Sequence, residues 1–195
     1  EMEEYEPEFD SMLFHLPLAG STFKKIYYDQ TMARAVSKFV PADELVVPYT
    51  ATSLDDAQSI IHVIKMPENE LRKQQVSGFY RDVDLGPPGR VETNPVVKKE
   101  RELEGTKATG KPQPIYTLLE CHVNLDLEGF EEVGADGQPT GIKLPYIVTI
   151  DESTRTVLSI RRNYAPDDPK KNKIQYFVHF KFLPGLGFYG FGLIH

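Results

Sequence analysis

The sequence predicts an α+β fold built mainly on antiparallel sheet. Three observations carry that expectation. Runs with strand-like alternation or β-branched content recur along the chain, among them "TFKKIYYD", "ARAVSKFV", "SIIHVIKM", "IYTLLECHVNL" and "KIQYFVHFKF". Turn chemistry separates the later runs: "GADGQPTG" holds Asp136-Gly137, and "LPYIVTIDESTRTVLSIRRNY" reads as a hairpin joined near Glu152–Thr154. Tight turns suit antiparallel neighbours, because parallel ones need a crossover of a dozen residues or more. Only two or three segments have helical spacing, against roughly seven to nine strands by this count.

The elements follow in order. "FDSMLFHLPL" places Phe9, Met12, Leu13 and Leu16 at helical spacing, and Pro17 to Gly20 are expected to break that helix. "TFKKIYYD" and "ARAVSKFV" are the first strands, and "DELVVPYT" is an edge candidate because Pro48 cannot donate to a ladder. "SIIHVIKM" suits a buried strand. In "PENELRKQQVSGFY", Pro67 stands at a helix start, Glu68 and Glu70 lie in the first turn, and Gly78 lies near the end.

Residues 81–114 hold five of the fifteen prolines and few large apolar side chains. They read as a mobile Pro- and Gly-rich insertion around one short helix, capped by Asn94, begun at Pro95 and ended by Gly105. In "IYTLLECHVNL", Ile115, Thr117, Leu119, Cys121, Val123 and Leu125 share one face, with Glu120, His122 and Asn124 on the other. In "KIQYFVHFKF", Ile174, Tyr176, Val178, Phe180 and Phe182 form the apolar face against Gln175, His179 and Lys181. His122 and His179 are therefore expected at the surface or in cross-strand roles.

Charge is distributed unevenly. Of the net −7, six acids and no base fall in "EMEEYEPEFD", so the rest carries 23 acids (29 − 6) against 22 bases. A near-neutral body offers no basic sheath for nucleic acid. The single cysteine, Cys121, excludes an internal disulfide and reads as an inert core thiol. No apolar run reaches the roughly 18 residues of a membrane span.

Catalytic signatures are absent from the sequence. The five histidines, His15, His62, His122, His179 and His195, have no pair at metal-ligand spacing, so no metal is expected. Gly185, Gly187 and Gly190 match G-x-G-x-x-G, yet lie among aromatics that suit backbone packing better than a pyrophosphate, so no cofactor is expected. Asp55-Asp56 and Asp167-Asp168 sit in turn contexts where aspartate bonds its own backbone. Arg161, Arg162, Lys170, Lys171 and Lys173 make a weak candidate for a phosphate-contacting loop, interrupted by the two aspartates. A hydrolase built from Asp55, Asp56, His62, His122 and His179 would need the fold to bring them into one pocket. A general protein-binding module is the other alternative.

The chain ends "FLPGLGFYGFGLIH", with eight large apolar or aromatic side chains and four glycines. Free termini are usually polar, and the expectation is a piece cut from a longer protein. Together "LFHLPLAGSTFKKIYYD", "SKFVPADELVVPYTATSLDDAQSIIHVIKM", "GIKLPYIVTID" and "YFVHFKFLPGLGFYGFGLIH" resemble the portal, or head–tail connector, proteins of tailed bacteriophages, of the large short-tailed-phage type. The similarity spans nearly the whole chain and is weakest across 81–114. It implies that residues 1–195 are a single β-rich wing domain. It also implies that 183–195, with Gly185, Gly187, Gly190 and Gly192, form the joint to a stem helix. Family portals are twelve-subunit rings at a capsid vertex of the virion, assembled in the host cytoplasm. They dock the terminase motor, pass double-stranded DNA and bind tail or head-completion proteins, without catalysis of their own. Channel residues would lie in segments that this sequence lacks.

Overall fold

The computed structural model describes residues 2, 4–29, 33–87, 114–134 and 136–193. Within them the fold is α+β, with two α-helices and two antiparallel sheets. The order is α1 (Tyr5–Ala19), β1 (Ser21–Asp29), β2 (Arg34–Pro41), a 3-10 turn (Ala42–Glu44), β3 (Leu45–Val46), β4 (Ser59–Pro67), α2 (Glu68–Val76), β5 (Ile115–Leu125), β6 (Leu144–Asp151), β7 (Val157–Arg162) and β8 (Phe177–Lys181). One sheet has the order β2-β1-β8 and the other β3-β4-β5-β6-β7. The helix expected after Asn94 lies outside the described residues.

The chain divides into two compact units: residues 1–63, 120–147 and 161–195, and residues 64–119 and 148–160. Strands β4 to β7 each contribute residues to both.

In the first unit, the core gathers Phe23, Val40, Leu45, Leu54, Ile60, Phe177 and Phe188. Register explains the set. Phe23 of β1 faces Val40 on one side and His179 on the other. Its ring stacks on His179 at 4.4 Å between centroids and on Phe188 at 5.9 Å. Contacts of this kind add about 0.5–1.5 kcal/mol beyond burial.

Helix α1 runs through Pro17 and stops at Gly20, the far end of the expected Pro17–Gly20 break, where φ is 76°. A proline in the last turn removes one N–H from the ladder, and the left-handed glycine ends the helix. Tyr5 and Phe9 stack on each other 5.8 Å apart, and the buried Lys24 ammonium lies 4.0 and 5.0 Å from their centroids. Those ring faces give a favourable surrounding to a buried cation that has no hydrogen-bond partner among the described residues.

The glycine-rich run is folded back on the unit. Leu183 and Phe191 bridge each other, Phe182 N–H donates to Gly20 O at 3.0 Å, and Leu193 N–H donates to Pro17 O at 2.8 Å. Gly190 N–H donates to the Ser21 hydroxyl at 2.8 Å. These backbones meet so closely that a Cβ on Gly190 would stand 2.6 Å from Gly20 O, and one on Gly192 2.6 Å from Leu18 O.

In the second unit, α2 begins after the extended Pro67 and ends before Gly78, which has φ 78°. Leu71 of α2 packs with Tyr80, Leu85, Tyr116, Leu118 and Leu158. The Gln75 amide donates to Val83 O at 2.8 Å, and the Tyr116 hydroxyl to Gly86 O at 2.7 Å. Within 81–87, Leu85 is buried and Val83 half-buried, while Arg81, Asp82, Asp84, Gly86 and Pro87 are exposed; residues 88–113 of the expected insertion lie outside the described residues. In the β6–β7 turn, Asp151 Oδ2 accepts from the Ser153 hydroxyl, the Thr154 N–H and the Thr154 hydroxyl at 2.7–2.8 Å, which secures the predicted hairpin.

Two face assignments are reversed. In β5 the buried residues are Tyr116, Leu118, Glu120 and His122, while the alternate set is half-buried. Both faces of β5 are buried or half-buried along nearly its whole length, so polarity alone does not tell which is deeper. In β8 the inward residues are Phe177 and His179, and Val178 is exposed. Likewise β4 is mostly half-buried, with only Ile60 fully enclosed.

The glycine contacts predict a contrast. Gly190→Ala should lower stability by about 1–3 kcal/mol through overpacking, whereas Gly187→Ala, with nothing within 4 Å of its added methyl, should cost far less. Thermal melting of the two variants beside the parent measures the difference.

Candidate functional site

The densest polar arrangement lies inside the first unit. Lys25 of β1 donates to Glu120 Oε1 of β5 at 2.6 Å, and His122 Nε2 lies 2.9 Å from the same oxygen. Arg161 of β7 stands 3.9 Å from Glu120 Oε2. Glu120 is 6% exposed and His122 3%. Strand geometry brings Glu120 and His122 together, because residues i and i+2 share a face. Register places Lys25 opposite Phe177 on the inward side of its sheet. His122 packs edge-on against Phe177 with centroids 5.2 Å apart, and His62 of β4 packs edge-on against the same ring at 5.6 Å.

The electrostatics follow from this crowding. Burial alone would raise the Glu120 carboxyl, but the His122 hydrogen bond and the Lys25 charge outweigh it and hold the group well below the usual carboxylate range. Burial lowers the Lys25 ammonium, with Glu120 opposing that pull. His62 is pushed down to about 4, first by burial and then by the Lys25 charge. His179, stacked between Phe23 and Phe188, is also pushed down to about 4 by burial and by Lys181. Both rings are thus neutral near pH 7. The arrangement is suited to holding strands together; Glu120 spends its lone pairs on internal cations, which leaves a poor general base.

The sequence-predicted residues separate into three places. Asp55 and His179 line an open groove of about 490 Å³, together with Thr52, Ser53, Phe177 and Lys181. Asp56 is held in its own turn, accepting from the Thr52 N–H and hydroxyl and the Ser53 N–H, and those bonds bring its carboxyl down to about 2. His62 and His122 flank Phe177 in the interior, so of the two roles expected for His122, surface or cross-strand, its contact is cross-strand and buried. Among the described residues, no group of three or more histidine, cysteine or acidic side chains is placed to hold a metal.

The basic loop is likewise dispersed. Lys171 pairs with Glu132, Lys173 reaches Leu54 O and Ala57 O at 3.4 Å each, and Arg161 faces Glu120. Arg162 lies 6.0 Å from the Phe130 ring, and Lys170 is exposed. Asp168 caps the turn as anticipated, accepting from the Lys170 and Asn172 N–H groups at 2.9 Å. Cys121 is half-buried, and burial pushes its thiol up. The residues that sequence reading missed are Lys25 and Glu120, which stand in strands whose partners cannot be known before the sheets are assembled.

No protein-family model and no curated protein matches the chain.

Two outcomes test this cluster. Lys25→Met should destabilise by about 3–5 kcal/mol, since it strips Glu120 of its nearest cation, and Lys25→Met/Glu120→Leu should regain most of that; chemical denaturation of the three chains measures it. The second outcome concerns pH. Unfolded imidazoles take a proton below about 6.5, whereas His62 and His179 resist until about 4. The unfolded state therefore binds more protons in that interval, so stability is full above pH 6.5 and falls as pH drops toward 4. Melting temperatures across pH 7.5 to 4 should show the fall, and His62→Phe should make it shallower.

Proposed function

We propose that this chain is the wing region of a phage portal protein, a structural part of the ring through which DNA enters and leaves a capsid, with no catalysis of its own. The observation that carries the reading is an apolar strip on the first unit. Phe14 and Leu18 of α1 are exposed, and the glycine-rich run that docks on the end of α1 presents Phe191 and Leu193 beside them. Phe14 is 70% exposed and Leu193 68%. Exposed apolar side chains grouped on one end of the unit suit contact with protein. The four long segments that resemble portal proteins run through α1, β1, β2, β3, β4, β6 and β8 and include the residues of that strip. The internal pairing of Glu120, Lys171 and Lys173 also fits an assembly role better than a reactive site.

On this reading the partners are further copies of the chain, the packaging motor, and tail or head-completion proteins at the capsid vertex. The glycine-rich run is the joint to the channel-forming part, and close packing of Gly20, Gly190 and Gly192 fixes its departure from α1.

Light scattering on a longer polypeptide that carries this sequence followed by stem and clip segments should give a closed ring near twelve copies. Phe14→Ser/Leu18→Ser in that polypeptide should raise the concentration needed for ring formation on the order of tenfold, about 1.4 kcal/mol. A longer chain that stays monomeric under capsid-like salt and concentration would overturn the portal reading and favour a binding module for some other protein.

A further inference from the structure

We infer that the acidic turns of α1 are a removable cover on the outer edge of β2, and that the uncovered edge pairs antiparallel with the same edge of a second copy of this chain. The inference goes beyond the portal reading and does not depend on it. Strand β2 is an edge strand: it pairs with β1 on one side only. On its other side, strand alternation turns the N–H and C=O groups of Ala35, Ser37 and Phe39 outward. Such a row is a template for another strand unless something occupies it.

Here two side chains of α1 occupy it. Glu4 Oε1 accepts from Ser37 N–H at 3.1 Å, and Glu8 Oε2 accepts from Phe39 N–H at 2.6 Å. Residues i and i+4 of a helix lie one above the other along one face, which lets Glu4 and Glu8 meet amides two residues apart on the strand. The carboxylates stand where the carbonyl groups of a neighbouring strand would be. Glu4 is also tied to the Arg34 guanidinium, whose bond draws its carboxyl below the usual range. The acidic start of the sequence thus has a specific use at two of its six acids.

A second, independent observation points to the occupant. The Ser37 hydroxyl is buried and makes no hydrogen bond among the described residues. A two-fold pairing of β2 strands centred on Ser37 sets Ser37 opposite Ser37, and hydroxyl pairs across strands are favourable. The same register sets Ala35 opposite Phe39, Val36 opposite Lys38 and Arg34 opposite Val40, so like charges never stand directly opposite each other. The edge is therefore self-complementary in both hydrogen bonding and charge. Because the contact is isologous it differs from the heterologous contacts that close a ring, and the two can fail separately.

The experiment compares the chain with Glu4→Gln/Glu8→Gln by light scattering and by amide hydrogen exchange at Ser37 and Phe39. The variant keeps side-chain length and removes the charge. The parent should remain near its 22.1 kDa monomer mass, with both amides slow. The variant should form a discrete dimer at high concentration with both amides protected. On dilution it should become a monomer in which they exchange at least about tenfold faster, the loss of one charge-assisted hydrogen bond each. Glu8→Gln alone, which leaves the Glu4–Arg34 pair in place, should do the same at higher concentration and guards against misfolding of the double variant. Glu6→Gln/Asp10→Asn changes the charge of α1 equally on exposed positions and should stay monomeric. The inference is overturned if both edge variants stay monomeric, if they associate with the two amides still fast, or if the exposed-position variant dimerises as well.

Discussion

A buried carboxylate joins the strands of the first unit. Glu120 lies where the central strand of one sheet faces β1 of the other, and it is enclosed by Lys25, His122 and Arg161. Removing any cation from a buried ion pair leaves an uncompensated charge, which is why such pairs bind their strands tightly once formed. The same geometry explains a second feature. Lys25 and Lys38 stand directly opposite each other in the β1–β2 register, an unfavourable like-charge pair that Glu120 offsets. Replacing the network with apolar side chains of equal volume is often no less stable, so its use is better understood as register: a one-residue slip of β1 would turn Lys25 away from the buried Glu120 carboxylate.

Around that constraint the core is aromatic. Phe177 receives His62 and His122 edge-on, while Phe23, His179 and Phe188 form a separate stack. His62 and His179 behave as flat, mostly apolar rings, pushed down to about 4 chiefly by burial. Their cost appears only when the medium becomes acidic enough to protonate the unfolded chain but not the folded one. This makes the interior sound at neutral pH and progressively weaker toward pH 4.

Surface and interior divide the labour differently at the two ends of the described chain. Helix α1 uses Glu4, Tyr5, Glu8 and Phe9 to hold β1 and β2, and turns Phe14 and Leu18 outward. The glycine-rich run spends Phe188 on the core and its backbone on α1, and leaves Phe191 and Leu193 outside. The absence of side chains at Gly20, Gly190 and Gly192 is what permits two backbones to meet there. The run thus docks through its backbone and keeps an apolar outer side.

What the sequence determined by itself was local. Alternation and turn chemistry placed the strands and the β6–β7 hairpin, proline and acids placed the start of α2, and the aspartates at 56 and 168 were legible as turn caps, because each depends on residues within a few positions. The glycines of the final run were legible as packing glycines for a similar reason: aromatics between them leave little room for a phosphate. What only the tertiary structure decided was which side of β5 and β8 lies deepest, and hence the candidate site. Glu120 and His122 look solvated beside Leu119 and Cys121, and they are buried because Lys25, ninety-five positions away, arrives to satisfy the carboxylate. Neutralisation by a partner distant in sequence has no local signature. Burial of a polar group depends on what meets it, and that is fixed only when the sheets come together.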